Sequence, residues 1–290
     1  MECNPNGDKG VAIITGSTSG IGLDLAEHLH SQGYHFGLAG RRVELGEAVA
    51  SKLDPTGATS IVFIANAGTL DSASLYNFGW RSESIDSLPP VPHLSCMEVN
   101  YKGTLYGTTL ATHFMRHNPN PGGKIIITSS LFGIYPCPTF PEYSSTKAAS
   151  VAFAHATSPV LLQKENITIN VVLPGAYDTT IVPGFQEAFL PKHLAMKFCI
   201  LAAYDVFLKD DSNQITGQCV ETAHDKLYYH NTPAYKSGEI AKRGDAIYEP
   251  WFTKLHGEPS EVEGALTAPP NRQTGELYER RAGDPKPCDD

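Results

Sequence analysis

Val11-Ala12-Ile13-Ile14-Thr15-Gly16-Ser17-Thr18-Ser19-Gly20-Ile21-Gly22 decides the fold. The run from Val11 to Thr15 is short, apolar and β-branched, which reads as a strand buried on both faces. A glycine-rich turn follows, then a helical pattern through Leu25, Ala26 and Leu29. A strand, a glycine turn and a helix start bring backbone N–H groups and a positive helix end up to a pyrophosphate. One glycine motif is a weak signal, and its strand-before, helix-after context is what gives it weight. Working outward, Lys124-Ile125-Ile126-Ile127-Thr128-Ser129, opened by Gly122-Gly123, reads as a second buried strand. Thr168-Ile169-Asn170-Val171-Val172-Leu173 reads as another. Buried strands alternating with helical stretches predict an α/β protein with a doubly wound parallel sheet.

The chemistry points to Tyr143-Ser144-Ser145-Thr146-Lys147. Residues four apart share one helix face, so the phenol and the ammonium are neighbours. A free phenol, with a pKa of about 10, is a poor base at neutral pH. A nearby ammonium favours the phenolate, so the spacing predicts a lowered Tyr143 pKa and a group able to move a proton at an alcohol or carbonyl oxygen. Ser130 falls at the C-terminal end of the second buried strand, where open α/β sheets hold their ligands. The histidines lack metal-ligand spacing, so no metal site is expected.

With these residues in order, the chain resembles the short-chain dehydrogenase/reductase family. The matching motifs are Thr15-Gly16-x-x-x-Gly20-Ile21-Gly22, Asn66-Ala67-Gly68, Asn100, Ser130, Tyr143-x-x-x-Lys147, and Pro174-Gly175 followed by Thr179. The resemblance implies a Rossmann-type fold and hydride exchange between an alcohol and a ketone or aldehyde. By the same resemblance Tyr143 is the general acid–base, Lys147 tunes it and holds the cofactor ribose, Ser130 holds the substrate oxygen, and Asn100 anchors a relay water. Cofactor contacts are implied for Gly16, Ser17, Ser19, Gly20, Ile21, Gly22, Arg41, Asn66, Ala67, Gly68, Tyr143, Lys147, Pro174, Gly175, Tyr177 and Thr179. An acid at the end of the second strand binds the NAD ribose, whereas arginine suits the NADP phosphate. This chain has Gly40-Arg41-Arg42 there, so NADP is expected first and NAD second. The stretch from Ser158-Pro159 to Pro174-Gly175 is similar to members related to 15-hydroxyprostaglandin dehydrogenase. Those carry an acid where Gly40 stands, so their substrate is not transferred.

One part departs from the family pattern. Between Gly40 and Asn66 there is one predicted helix, Val43–Leu53, and one predicted strand, Ile61-Val62-Phe63-Ile64-Ala65. Family members have two strands there. The segment is short by roughly 25 residues, about a helix, a strand and a turn. The expected sheet therefore lacks one edge strand and one helix. It should stay continuous, because the surviving strand can still pair with the first. A weakened cofactor half is expected, and a non-catalytic member with impaired cofactor binding is the alternative reading.

The 290 residues suffice for one domain with a full core. A single oxidoreductase domain is expected over 1–255, with a polar, disordered tail over 256–290. A net charge of −9 argues against nucleic acid and anionic membranes as partners. No run spans a membrane, residues 1–9 lack an apolar leader core, and the six cysteines are scattered, so a cytoplasmic protein is expected. Phe185, Phe189 and Leu190 suggest an apolar pocket and a small apolar alcohol or carbonyl substrate. Ala148, Ala149, Ala152 and Ala154 give the Tyr143 helix a small-residue surface. With the resemblance, this implies a homodimer or homotetramer.

Overall fold

The computed structural model describes residues 10–40, 60–182 and 184–268. Arg41 and the helix expected over Val43–Leu53 lie outside the described residues. The chain divides into two compact units, Met1–Pro233 and Ala234–Asp290.

The first unit is built on one seven-stranded sheet. Its strands are β1 (Val11–Thr15), β2 (His35–Ala39), β3 (Ser60–Ala65), β4 (Gly123–Thr128), β5 (Ile167–Pro174), β6 (Cys219–Ala223) and β7 (Lys226–Tyr229). They lie in the order β2-β1-β3-β4-β5-β6-β7. All neighbours are parallel except β6 and β7. β3 pairs β1 on one side and β4 on the other, so the sheet is continuous there, as expected. Among the described residues β2 is the edge, and the sheet is unbroken. The β1–β3 register shifts between Val11 and Ala12, which pair with Ser60 and Val62.

The far edge was not foreseen. β6 begins at Cys219 and turns back as antiparallel β7. The turn between them includes His224 in the left-handed region, φ 51°.

Alternation along the strands splits the core in two. On one face, Ile14, Ile64, Ile126, Val172 and Val220 pack against α1 (Gly20–Ser31) and a later helix, Lys197–Leu208, through Leu25, Leu29, Tyr204 and Phe207. On the other, Phe63, Ile125, Ile127, Ile169 and Val171 meet α2 (Gly103–Arg116) and α3 (Pro141–Glu165) through Met115, Val151 and Ala154. Ala154, expected on the small-residue surface, is instead wholly buried against the sheet. Ala148 and Ala149 are half-buried and Ala152 is exposed. Helix α3 runs on through Pro159 to Glu165. A short helix, α4 (Phe185–Ala188), precedes α5 (Lys197–Leu208).

The second unit holds α6 (Glu239–Asp245) and α7 (Glu249–His256). Tyr248 bridges to Leu266, and the Glu249 carboxylate accepts the Ser260 N–H at 2.9 Å and the Ser260 hydroxyl. Among the described residues no helix is long and apolar enough to cross a membrane.

Candidate active site

The glycine turn leaves the C-terminal end of β1, between β2 and β3, where the sheet changes direction. That switch point is where open α/β sheets bind ligands. Gly16 has φ +67°, and a Cβ there would lie 2.9 Å from the Ala67 Cα. A Cβ on Gly22 would sit 2.3 Å from the Gly16 carbonyl oxygen. Only glycine allows these close approaches. Asn66 and Ala67 act as struts: their N–H groups each donate to Thr15 Oγ1 at 3.0 Å, and Asn66 Nδ2 donates to the Thr15 carbonyl at 3.1 Å. Within the turn the Ser17 hydroxyl is buried and has no hydrogen-bond partner among the described residues. A buried hydroxyl seldom stays unpaired. A phosphate oxygen would satisfy it, so the residues present fit a dinucleotide. Ser19 precedes α1 in extended conformation, and Ile21 packs on the core.

The loop after β5 folds back on this turn. A Cβ on Gly20 would lie 3.1 Å from Thr179 Cγ2. Pro174 ends β5, and Gly175 lets β5 approach β6, since a Cβ there would meet the Thr222 carbonyl oxygen at 2.4 Å. Tyr177 points elsewhere: its hydroxyl donates to Asp24 on α1 at 2.7 Å. Lys197 pairs with the same carboxylate at 2.5 Å. Burial and Asp24 push the Tyr177 phenol well above its usual pKa.

Ser130, Tyr143, Lys147 and Asn100 gather at the ends of β3 and β4. Lys147 is buried, its Nζ donating to the Thr128 carbonyl at 2.8 Å and lying 5.5 Å from the centre of the Tyr143 ring. Burial lowers the Lys147 pKa to about 8. Tyr143 moves the other way. Burial is the largest cause and raises its pKa, and a hydrogen bond with Ser130 acts to lower it. The expected lowering is therefore not found, because desolvation of the phenol outweighs the favourable contacts.

Asn100 lies in a π-helical turn, Met97–Lys102, that leads into α2. Its Oδ1 accepts the Thr69 N–H at 2.8 Å; its Nδ2 donates to the Thr69 carbonyl at 2.9 Å and to Thr146 Oγ1 at 3.1 Å. Asn100 and Lys147 meet over Gly68, where a Cβ would be 3.5 Å from Asn100 Oδ1 and 3.6 Å from Lys147 Nζ. Leu131, next in the chain after Ser130, lines a cavity of about 430 Å³ with Ala176, Phe189 and Tyr228 and, at its polar side, Lys192, His193, His224, Asp225 and Lys226. Phe185 is buried and stacks on Phe189 at 4.5 Å, while Leu190 is exposed. Two supporting residues gave no signal in the sequence: Thr69 and Asp71, whose roles depend on contacts between distant segments.

A doubly wound sheet with a glycine turn at its switch point and a Ser-Tyr-Lys group at the neighbouring strand ends is the architecture of a dinucleotide-dependent oxidoreductase. The family profile described as short chain dehydrogenase matches residues 10–77 and 62–188. The two pieces overlap over residues 62–77, from within β3 onward. The short-chain dehydrogenase/reductase prx6 of Penicillium rubens is 39% identical, over 88% of this chain and 97% of that one. An NADP-dependent (R)-specific alcohol dehydrogenase of Lentilactobacillus kefiri is 26% identical over 61% of this chain and 77% of its own. The fold matches a 3-ketoacyl-(acyl-carrier-protein) reductase from Brucella melitensis, complexed with NADH, with a TM-score of 0.60 at 18% identity, over 74% of this chain and 96% of that one. This chain belongs to the short-chain dehydrogenase family. It is an oxidoreductase, and the family implies a nicotinamide cofactor.

Proposed function

We propose that the chain interconverts an alcohol and a ketone or aldehyde, using NADP(H), on a small, largely apolar substrate. The observation that carries this reading is the buried Lys147 ammonium beside the Tyr143 ring, with Ser130 close enough to the same phenol to act on its pKa. The cofactor supplies the hydride. Tyr143 gives its proton to the carbonyl oxygen, and its raised pKa keeps that proton in place at neutral pH. Ser130 donates a hydrogen bond to the same oxygen. Lys147 supports the phenolate that remains, and Asn100 anchors the water that returns the proton. Ser17, Ser19 and the glycine turn hold the phosphates, with Ile21, Asn66, Ala67 and Gly68 shaping the cleft and Pro174, Gly175 and Thr179 closing its nicotinamide end, while Tyr177 braces α1 through Asp24.

NADP is favoured over NAD by the residue at Gly40. A Cβ there would be only 3.1 Å from Thr18 Cγ2, so an acidic side chain is disfavoured where it would repel the extra phosphate. Arg41 is the proposed phosphate ligand. We also propose a cytoplasmic homo-oligomer. The four described cysteines, Cys96, Cys137, Cys199 and Cys219, are all free, which suits a reducing compartment.

Fluorescence titration with NADPH and NADH tests the reading. Saturable micromolar binding, tighter for NADPH, is expected. Tyr143→Phe should then lower turnover by at least about a thousandfold while leaving cofactor affinity within about twofold, as loss of a general acid does. A folded chain that binds neither cofactor would favour the non-catalytic alternative that the shortened segment permits.

A further inference from the structure

We propose that Asp71 is a positioning residue that holds Tyr143 in register with Asn100. The inference rests on the assignment of Tyr143 above. Helix α3 begins at Pro141, and its N-cap residue, Phe140, offers no capping side chain. The first turn of a helix has free N–H groups that need partners. Here they are met from a remote segment. Asp71 Oδ2 accepts the Glu142 N–H at 2.9 Å, and Oδ1 accepts the Tyr143 N–H at 2.8 Å. One carboxylate therefore grips the backbone of the tyrosine itself, from the loop that follows β3.

The grip continues on both sides. Glu142 is buried, and its Oε1 accepts the Met97 N–H at 3.1 Å, tying the start of α3 to the π-helical turn. Thr69, two residues before Asp71, holds Asn100 through both its N–H and its carbonyl. Cys96 donates to that same Thr69 carbonyl at 3.3 Å. Thus Thr69 and Asp71 fix Asn100 and Tyr143 relative to each other.

Asp71, Cys96 and Glu142 bring ligand-type atoms within 4.8 Å of one another, a spacing that could suit a cation. Their existing bonds argue for a clamp instead. Both Asp71 oxygens are occupied by N–H donors, and so is Glu142 Oε1. Burial and the two carboxylates push the Cys96 pKa up to about 12, so the sulfur keeps its proton. A cation would have to break the start of α3 to bind.

Misplacing a reacting group by about an ångström can cost roughly a hundredfold in rate. The test compares Asp71→Ala, Asp71→Asn and Tyr143→Phe in the full chain, each checked by thermal melting. The amide keeps one acceptor oxygen, so Asp71→Asn should retain part of the activity. We expect kcat to fall about tenfold in Asp71→Asn and further in Asp71→Ala, with NADPH affinity within about twofold. The phenol pKa in the kcat–pH profile should also move down in Asp71→Asn, because a negative charge beside the helix start is gone. Unchanged kcat and pH profile in both Asp71 variants, with Tyr143→Phe inactive, would overturn the inference and spare the catalytic assignment. Equal losses of kcat and cofactor affinity in Asp71→Asn would also overturn it, by making Asp71 a general structural support. If Asp71→Ala does not fold, Asp71→Asn alone decides between these outcomes. An active Tyr143→Phe would instead sink the assignment of the phenol, and the clamp's purpose with it.

Discussion

Lys147 carries the tension between stability and chemistry at the scale of one residue. Its ammonium is buried and has one hydrogen bond, to the Thr128 carbonyl. Burial favours the neutral form, which brings its pKa from 10.5 down to about 8. Between those values the unfolded chain binds the proton and the folded chain does not. Stability from this group therefore rises with pH across that window and is lowest below about pH 8. At about 1.4 kcal/mol per pKa unit, the cost at neutral pH is on the order of 3 kcal/mol. Lys147→Met should be inactive and yet melt at or above the wild-type temperature at pH 7, and the gap should shrink as pH approaches 10. A variant that melts lower at pH 7 would mean that the Thr128 bond outweighs desolvation. The four-residue spacing made the Tyr143–Lys147 pair legible in the sequence. The sign of the Tyr143 shift was not, because it depends first on burial of the phenol, with Phe132 against its ring, and then on the charge of Cys96, a distant residue in the chain.

At the scale of an element, the glycine turn is set by backbone contacts rather than by side chains. A methyl on Gly22 would meet the Gly16 carbonyl oxygen at 2.3 Å and Asn66 Nδ2 at 2.6 Å. The carbonyl cannot yield without moving the turn. Gly22→Ala should therefore cost about 1–3 kcal/mol in a denaturant melt, as overpacking does. It should also weaken NADPH binding at least tenfold. Gly79→Ala is the control: nothing lies within 4 Å of a Cβ there, so both readouts should stay at wild-type values. This turn could be read from the sequence because β-branched residues, glycines and a helical repeat follow one another in a short run. The β6–β7 hairpin could not, since its turn is His224-Asp225 rather than a pair ending in glycine. Nor could the π-helical turn at Asn100, because six residues with one wider turn leave no periodic trace.

For the whole molecule, the sheet is continuous from β2 to β7 among the described residues, and the proposed site lies at the ends of its inner strands. β3 pairs with both β1 and β4, and α2 and α3 cover one face of the strands beyond it. That face shows what the proposed oligomer would bury. Tyr106, Leu110 and Phe114 recur every four residues along α2 and are 68%, 59% and 56% exposed. Residues at that spacing share one side of a helix. Three large apolar groups aligned on one exposed helix face are a candidate interface rather than a scatter of surface residues. The exposed Ala152 and Ala156 on neighbouring α3 add low relief, which permits close approach of a second copy. A charge at Leu110 would be desolvated in such an interface but harmless on a free surface. Light scattering should thus find a dimer or tetramer for the wild-type chain at micromolar concentration, and a smaller species for Leu110→Lys. The variant's isolated subunit should keep its fold, because Leu110 makes no core contact. A wild-type monomer, or a Leu110→Lys oligomer of unchanged mass, would refute this interface and leave α2's apolar stripe to another partner.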